Sequence, residues 1–410
     1  MQLTRDLTVQ LGSLMVLFTI LVVVLKNSSV YPILFNTLID TYQYPRKPDF
    51  HVSLTRSLIG DVSEERLGHR LEELSQLFPD SRYYNSESGY RSALYFYDVL
   101  QGFTQRDRGR YTVRRFKHNG WRQPTLIFRI QGIHEQIVIL GCHLDSMNLN
   151  PFANAPGVDD NLSGIDVVLE ALDIFTNESI VSDLPVLQNT LEFHFYAAEE
   201  VGSLGSQEVF KEYRKNNRKV IAMLQQDMTG YTEGSNKKGI GEHFGIITDY
   251  ASVTLTEFVK SLVDQYSEIP YLETRCRKVC SDHVSSLMYG YPGAYALESV
   301  VDMSNPYIHS DQDTLEWINI GHVRKHAELV VAYISELAFT EDLPLASSVK
   351  DYMSFGYYDF IIMFSMTDTF RFVWCVALLA TCVALGGSIY DDVRGGEGVD
   401  QAYEVIAHHE

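Results

Sequence analysis

Cysteine is scarce, with five in 410 residues. Cys276 and Cys280 form one close pair, Cys142 stands alone, and Cys375 and Cys382 lie in an apolar run. These spacings do not make a disulfide framework, and no CxxC…CxxC text exists to form a zinc ribbon. Cations are also few: 33 Lys and Arg against 53 Asp and Glu, a formal charge of −20. Phosphate binding needs clustered Lys and Arg, so nucleic acid is excluded as a partner. The acidic surface favours solubility and can attract cationic ligands, free amino termini among them. Charge is missing altogether between Asp6 and Lys26, where Leu11–Leu25 is mostly Leu, Val and Ile. No clean small-x-small cleavage site follows, so this run reads as a short signal anchor ahead of a cleaved signal peptide. Either one sends the chain into the secretory pathway.

The hydrophobic fraction, 45%, is ordinary for a globular chain and permits a sizeable core. Residues Ser28–His51 carry Pro32, Pro45 and Pro48 and read as an irregular linker. From Asp61 the pattern turns helical, with Leu67, Leu71, Leu74 and Leu77 at helical spacing and Pro79 as the stop. Ser86–Leu100 predicts a second amphipathic helix. Strands are expected at Tyr111–Phe116, Pro124–Ile130, Gln136–Gly141, Thr190–Tyr196, Val220–Gln226 and Gly293–Leu297. Helices are expected at Gly164–Phe175, Ser252–Tyr266 and His322–Leu337. Strand–helix alternation implies an α/β sheet covered on both faces. In such sheets ligands bind at the carboxyl ends of the strands. After Leu337 the chain reads as irregular and then aromatic-rich. The uncharged run Phe372–Ile389 fits a transmembrane helix, and Asp391–Glu410 is an acidic tail. Sequons stand at Asn27 and Asn177. A third, at Asn161, lies inside the candidate site and is expected to stay bare.

Five places end an apolar run with a metal-competent residue. Ile137–Cys142 leads to His143-Leu144-Asp145, and Pro156-Gly157-Val158 leads to Asp159-Asp160. Leu191–Ala198 leads to Glu199-Glu200, Val220–Gln226 to Asp227, and Asn305–Ile308 to His309. Two divalent ions roughly 3.5–4 Å apart repel strongly, so a carboxylate must bridge them and each ion needs its own His and carboxylate. Two His and three carboxylates supply that set, and a further carboxylate is needed to take a proton from the attacking water. Adjacent Glu199 and Glu200 can divide those jobs.

The text GCHLDS, APGVDDNLSG, EFHFYAAEEVGSLGS, AMLQQDMTGY, CRKVCSDH and YIHSDQDT, in order and spacing across roughly Leu71 to Leu337, resembles the co-catalytic dizinc aminopeptidases of metallopeptidase family 28. Both the bacterial Vibrio leucine aminopeptidase type and its fungal-like secreted relatives are similar. The resemblance implies a zinc exopeptidase fold, a mixed central sheet flanked by helices. It also implies two Zn2+ per chain and peptide substrates with apolar N-terminal residues. It places His143, Asp160 and Asp227 on one zinc and Asp160, Glu200 and His309 on the other, with Asp160 bridging. Glu199 matches the general base, and Asp145 the carboxylate that orients the His143 ring. A cis peptide is implied at Asp160–Asn161, and a disulfide between Cys276 and Cys280. Met228, Tyr295, Leu297 and Ile308 match pocket positions. One departure stands out: Lys278 aligns where the bacterial enzyme has an oxyanion-stabilising Tyr, and a Lys there could also donate to an oxyanion. Asp159 acquires no role.

The resulting division is an anchor or signal peptide over 1–27, a linker over 28–60, a peptidase domain over 61–340, a juxtamembrane segment over 341–370, a transmembrane helix over 371–390 and a tail over 391–410. Such a chain is membrane-anchored through its terminal hydrophobic helices, with the catalytic domain lumenal or extracellular. The rival readings are a carboxypeptidase of the same fold, a one-zinc glutaminyl cyclase and a receptor-like ectodomain without activity. The first needs a basic patch for a terminal carboxylate, where only Arg275, Arg277 and Lys278 are at hand. The complete ligand set speaks against the other two.

Overall fold

A computed structural model of the chain describes residues 44, 45, 48, 51–182, 184–341 and 343, together with the backbone of two strands at Tyr352–Tyr357 and Phe360–Ser365. The helices are α1 (Val52–Ile59), α2 (Glu64–Leu77), α3 (Glu87–Thr104), α4 (Gly164–Thr176), α5 (Glu178–Val181), α6 (Leu204–Lys215), α7 (Glu233–Lys237), α8 (Val253–Tyr266), α9 (His283–Met288) and α10 (Ile320–Ala338). The strands of the main sheet are β1 (Tyr111–Phe116), β2 (Thr125–Ile130), β3 (His134–His143), β4 (Asn189–Tyr196), β5 (Lys219–Gln226), β6 (Phe244–Ile247), β7 (Tyr271–Thr274) and β8 (Gly293–Leu297).

Local chemistry sets the helix boundaries. Ser63 caps α2 by accepting from the Arg66 amide, and Glu64 and Glu65 lie in the first turn, where the helix dipole favours acids. Its buried face is Leu67, Leu71 and Leu74, each contributing about 2 kcal/mol on removal from water. Ser86 caps α3 and Ser252 caps α8 in the same way. Polar anchors also join α2 to α4: Arg66 and Arg70 reach the buried carboxylates of Asp166 and Glu170.

The eight strands run in the order β1-β2-β4-β3-β5-β8-β6-β7. The central neighbours β4, β3, β5 and β8 are parallel, while β1, β2 and β6 pair antiparallel, so the sheet is mixed. Both strands are buried on both faces: every residue of β4 is buried, as is β3 from Gln136 onward, which explains the apolar run Ile137–Leu140, while the buried polar pair Glu192 and His194 of β4 bond each other. Parallel pairing carries His143 to the register of Tyr196 and Gly141 to that of Gln225. The residues that follow β3, β4, β5 and β8 therefore emerge together at one edge.

Several expectations change. Val52–Ile59, assigned to an irregular linker, is a helix. Thr55 bonds the buried Ser335 and Glu336 of α10, and Leu58 is buried. Eight residues preceded by prolines carry too little periodicity to reveal this; α10 supplies the partner. Helices α6 and α9 and strands β6 and β7 were also not expected, being short or strongly polar. Residues 352–365, within the expected juxtamembrane segment, contain the strands Tyr352–Tyr357 (β9) and Phe360–Ser365 (β10), which form a separate two-stranded sheet. Among the described residues no helix is long and apolar enough to cross a membrane. Both expected spans, 1–27 and 371–390, lie outside those residues, as does Asn27.

Candidate metal centre and substrate cleft

Each predicted ligand arrives on a different element of the carboxyl edge. His143 ends β3 and Asp227 follows β5. Glu199 and Glu200 follow β4 after Ala198, whose φ is +57°. His309, at φ +56°, comes from the loop before α10. Asp160 lies in a tight turn over Val158–Ser163 that enters α4, with a cis Asp160–Asn161 peptide. The turn begins at Gly157, at φ +55°, where a Cβ would stand 2.3 Å from the Asp160 carbonyl oxygen. Only glycine fits there.

The two carboxylate oxygens of Asp160 face different histidines. Oδ1 is 3.0 Å from His143 Nε2, and Oδ2 is 3.2 Å from His309 Nε2. Asp227 Oδ1 lies 3.3 Å from His143 Nε2, and Glu200 Oε2 lies 2.8 Å from His309 Nε2. Two triads result, His143–Asp160–Asp227 and Asp160–Glu200–His309, in each of which the donor atoms lie within 4.8 Å of one another. Glu199 belongs to neither. Burial works against the charge of His309, yet Asp160 and Glu200 raise it to about 11. Burial and the nearby Asp160 push Glu200 up to about 8. Burial, together with Asp282, Asp227 and Glu200, pushes Glu199 well above the usual carboxylate range. So many acids in one dry place are costly unless cations offset them. Nitrogen and oxygen donors in sets of three, sharing one carboxylate, suit zinc.

The supporting shell refines one expectation and adds residues. The Asp145 carboxylate lies 3.6 Å from His143 Nδ1, while that nitrogen bonds the Asp145 carbonyl at 3.1 Å. The carboxylate instead accepts the amides of Glu199, at 3.0 Å, and Glu200, at 3.2 Å. Asp145 thus sets the backbone of the glutamate pair as well as the ring. Ser281 donates to Asp227 at 2.6 Å, and Asp313 accepts the amides of Asp159 and Asp160. Asp159 acquires a role: it accepts from the Gly230 amide and the Asn305 side chain, tying the turn to the loops after β5 and β8. Arg82, 1% exposed, donates to the carbonyls of Leu144, Pro156 and Gly157. Burial lowers its pKa to about 10 against the pull of Asp313, Asp145, Asp160 and Glu200. Ser281 and Asp313 sit inside the CRKVCSDH and YIHSDQDT text and were legible as neighbours of ligands. Arg82 lies in SRYYNSESGY, where no signal distinguishes it.

Beside the triads opens a cavity of about 700 Å³. Its apolar part is formed by Met228, Tyr295 and Leu297, which cluster with the fully buried Ile247, and Ile308, Val301 and the half-cystines pack against that cluster. All four expected apolar pocket residues line the cavity, as do Glu199, Glu200 and Lys278. The Tyr295 hydroxyl donates to the Asp227 carbonyl at 3.0 Å, so its ring, not its hydroxyl, faces the cavity's apolar part. Cys276 and Cys280 are disulfide-bonded, and Asp249 accepts the amides of Cys276 and Arg277. Asn161, of the third sequon, is fully buried and bonded at both ends of its amide. Asn177 caps α5 at the surface.

The Peptidase family M28 model matches residues 125–334. Leucine aminopeptidase 1 of Emericella nidulans is 41% identical over 301 residues, covering 72% of this chain and 76% of that protein. Leucine aminopeptidase 1 of Aspergillus fumigatus is 39% identical over 319 residues, covering 76% and 80%. Among solved structures, the LapA aminopeptidase of Legionella pneumophila is similar at TM-score 0.65 and 25% identity, over 73% of this chain and 75% of that one. LapB of the same organism is similar at TM-score 0.64 and 27% identity, over 73% and 79%.

Proposed function

The chain belongs to peptidase family M28, and from that premise we propose that it is a zinc aminopeptidase that removes apolar residues from the amino termini of peptides, using two zinc ions. The observation that carries this reading is the pair of ligand triads sharing Asp160, with Glu199 left outside both and an apolar cavity alongside. His143, Asp160 and Asp227 would hold one ion, and Asp160, Glu200 and His309 the other. Bound zinc supplies Lewis acidity to the scissile carbonyl and to the attacking water.

The chain's own groups do the rest. The carboxypeptidase reading needs a basic patch for a terminal carboxylate, and no Arg stands among the described residues lining the cavity. The apolar wall takes the first side chain and excludes water from it. Glu199, on a backbone fixed by Asp145, accepts the proton of the attacking water as the new C–O bond forms. It returns that proton to the departing nitrogen as the C–N bond breaks. Entry to the secretory pathway, membrane anchorage through 1–27 and 371–390, and glycosylation at Asn27 and Asn177 complete the proposal, resting on sequence alone.

Metal analysis with the Asp160→Asn variant tests the centre. The native protein should carry two zinc ions per chain and hydrolyse a leucyl reporter until chelated. The variant should lose most of both metal and turnover, since both ions share that residue. One zinc per chain in a fully active enzyme would refute the paired site.

A further inference from the structure

We infer that Lys278 is a specificity-determining residue that excludes peptides whose amino-terminal residue has a basic side chain; the inference rests on the aminopeptidase reading. Lys278 lies between the half-cystines of the Cys276–Cys280 loop. The two oxygens of Asp249 hold the loop at the amides of Cys276 and Arg277, and Arg277 turns the chain at φ +62°. The Lys278 side chain therefore starts from a fixed base on the cavity wall. Both half-cystines pack on the apolar cluster formed by Met228, Tyr295 and Leu297, so the loop is one side of the pocket that receives the first side chain.

Among the described residues lining the cavity, Lys278 is the only Lys or Arg. It has no hydrogen-bond or ion-pair partner among the described residues, whereas Lys260 and Lys237 each hold a glutamate. Arg275 precedes the loop and Arg277 lies within it, but neither lines the cavity. The lining acids Asp160, Glu199, Glu200 and Asp227 are the metal ligands and the proton acceptor, so they do not neutralise this cation. A Leu or Met side chain is indifferent to it. A Lys or Arg side chain carries its charge along the same apolar wall toward the same rim. Two like charges about 5 Å apart in a half-wet environment cost on the order of tenfold to a hundredfold in productive binding. Because Lys278 is exposed at the rim, the lower figure applies, and salt should weaken it.

The test compares kcat/KM for arginyl, lysyl and leucyl reporter substrates in the zinc-loaded native protein and in the Lys278→Met, Lys278→Glu and Lys278→Arg variants. The arginyl-to-leucyl ratio should rise about tenfold in Lys278→Met and further in Lys278→Glu, through KM, and stay low in Lys278→Arg. The gain should shrink in ~1 M NaCl. A ratio that is the same in all four proteins overturns the inference. So does a kcat loss of equal size on every substrate, which is the signature of a group that stabilises the reacting oxygen. Absence of leucyl hydrolysis by the native zinc-loaded protein would instead overturn the peptidase reading beneath it.

Discussion

Replacing Glu199 with Gln separates proton transfer from metal binding. The side chain lies outside both ligand triads, so the ions have no reason to leave. Its backbone is fixed by the bond from its amide to Asp145 Oδ1 at 3.0 Å, which a Gln keeps. Ser203 donates to Glu199 Oε1 at 3.3 Å, and a Gln carbonyl can accept that bond too. Shape, charge neighbours and metal count are therefore retained while the proton acceptor is removed. A positioned general base contributes about 10²–10⁴-fold, or roughly 3–5 kcal/mol of barrier. The expected result is a kcat for a leucyl reporter lower by about that factor, with KM changed little and zinc still near two per chain. Glu199→Asp keeps the chemistry but withdraws the carboxylate by one methylene, roughly 1.5 Å, so it should lose about 10²-fold. Steady-state kinetics and elemental analysis on the same samples decide the matter. Near-native turnover in Glu199→Gln would refute the assignment. Loss of activity in proportion to lost zinc would make Glu199 a ligand instead.

Three further outcomes follow from the same geometry. Asp145→Ala releases the amides of both Glu199 and Glu200, so kcat or zinc affinity should fall about 10–100-fold; an unchanged enzyme would mean those bonds position nothing. Burial opposes the charge of Glu192, but bonds from His194 and Tyr213 and the charge of Arg129 hold it down at about 2. A carboxylate depressed below its unfolded value stabilises the fold above that value and ceases to do so as pH falls toward the folded one. The native advantage over Glu192→Gln in urea unfolding should thus shrink by about 2 kcal/mol between pH ~5 and ~3, and a constant difference would refute it. Leu58→Ala should cost about 2–5 kcal/mol in the same assay, whereas a residue in a loose linker would cost under about 0.5 kcal/mol.

The chemistry-bearing residues were legible because each ends an apolar run: His143, Glu199, Glu200 and Asp227 stand at or just after the ends of β3, β4 and β5, whereas Asp160 and His309 follow short runs that fold as a turn and a loop. The alternation of strands with helices likewise fixed the α/β class and the edge at which the ligands gather. Cys276 and Cys280 could only be paired by resemblance until their neighbourhood was seen.

What sequence could not supply was the identity of the partners, because they come from distant text. Nothing local tells that Arg82 ends buried against the carbonyls around Gly157, or that Asp159 ties three loops together. Nothing local shows that the Asp145 carboxylate holds two amides more than 50 positions downstream. Helix α1 was hidden for the same reason, since its order depends on α10, nearly 280 residues away. Sequence by itself determined which side chains can ligate, transfer protons and line an apolar wall, since those are properties of residue types and local pattern. Only tertiary structure decided that the two oxygens of Asp160 face different histidines, that Glu199 stays outside both triads, and that Lys278 stands on the pocket wall without a partner among the described residues. Distances between remote residues are set by how the sheet and its loops pack, and periodicity along the chain does not encode them.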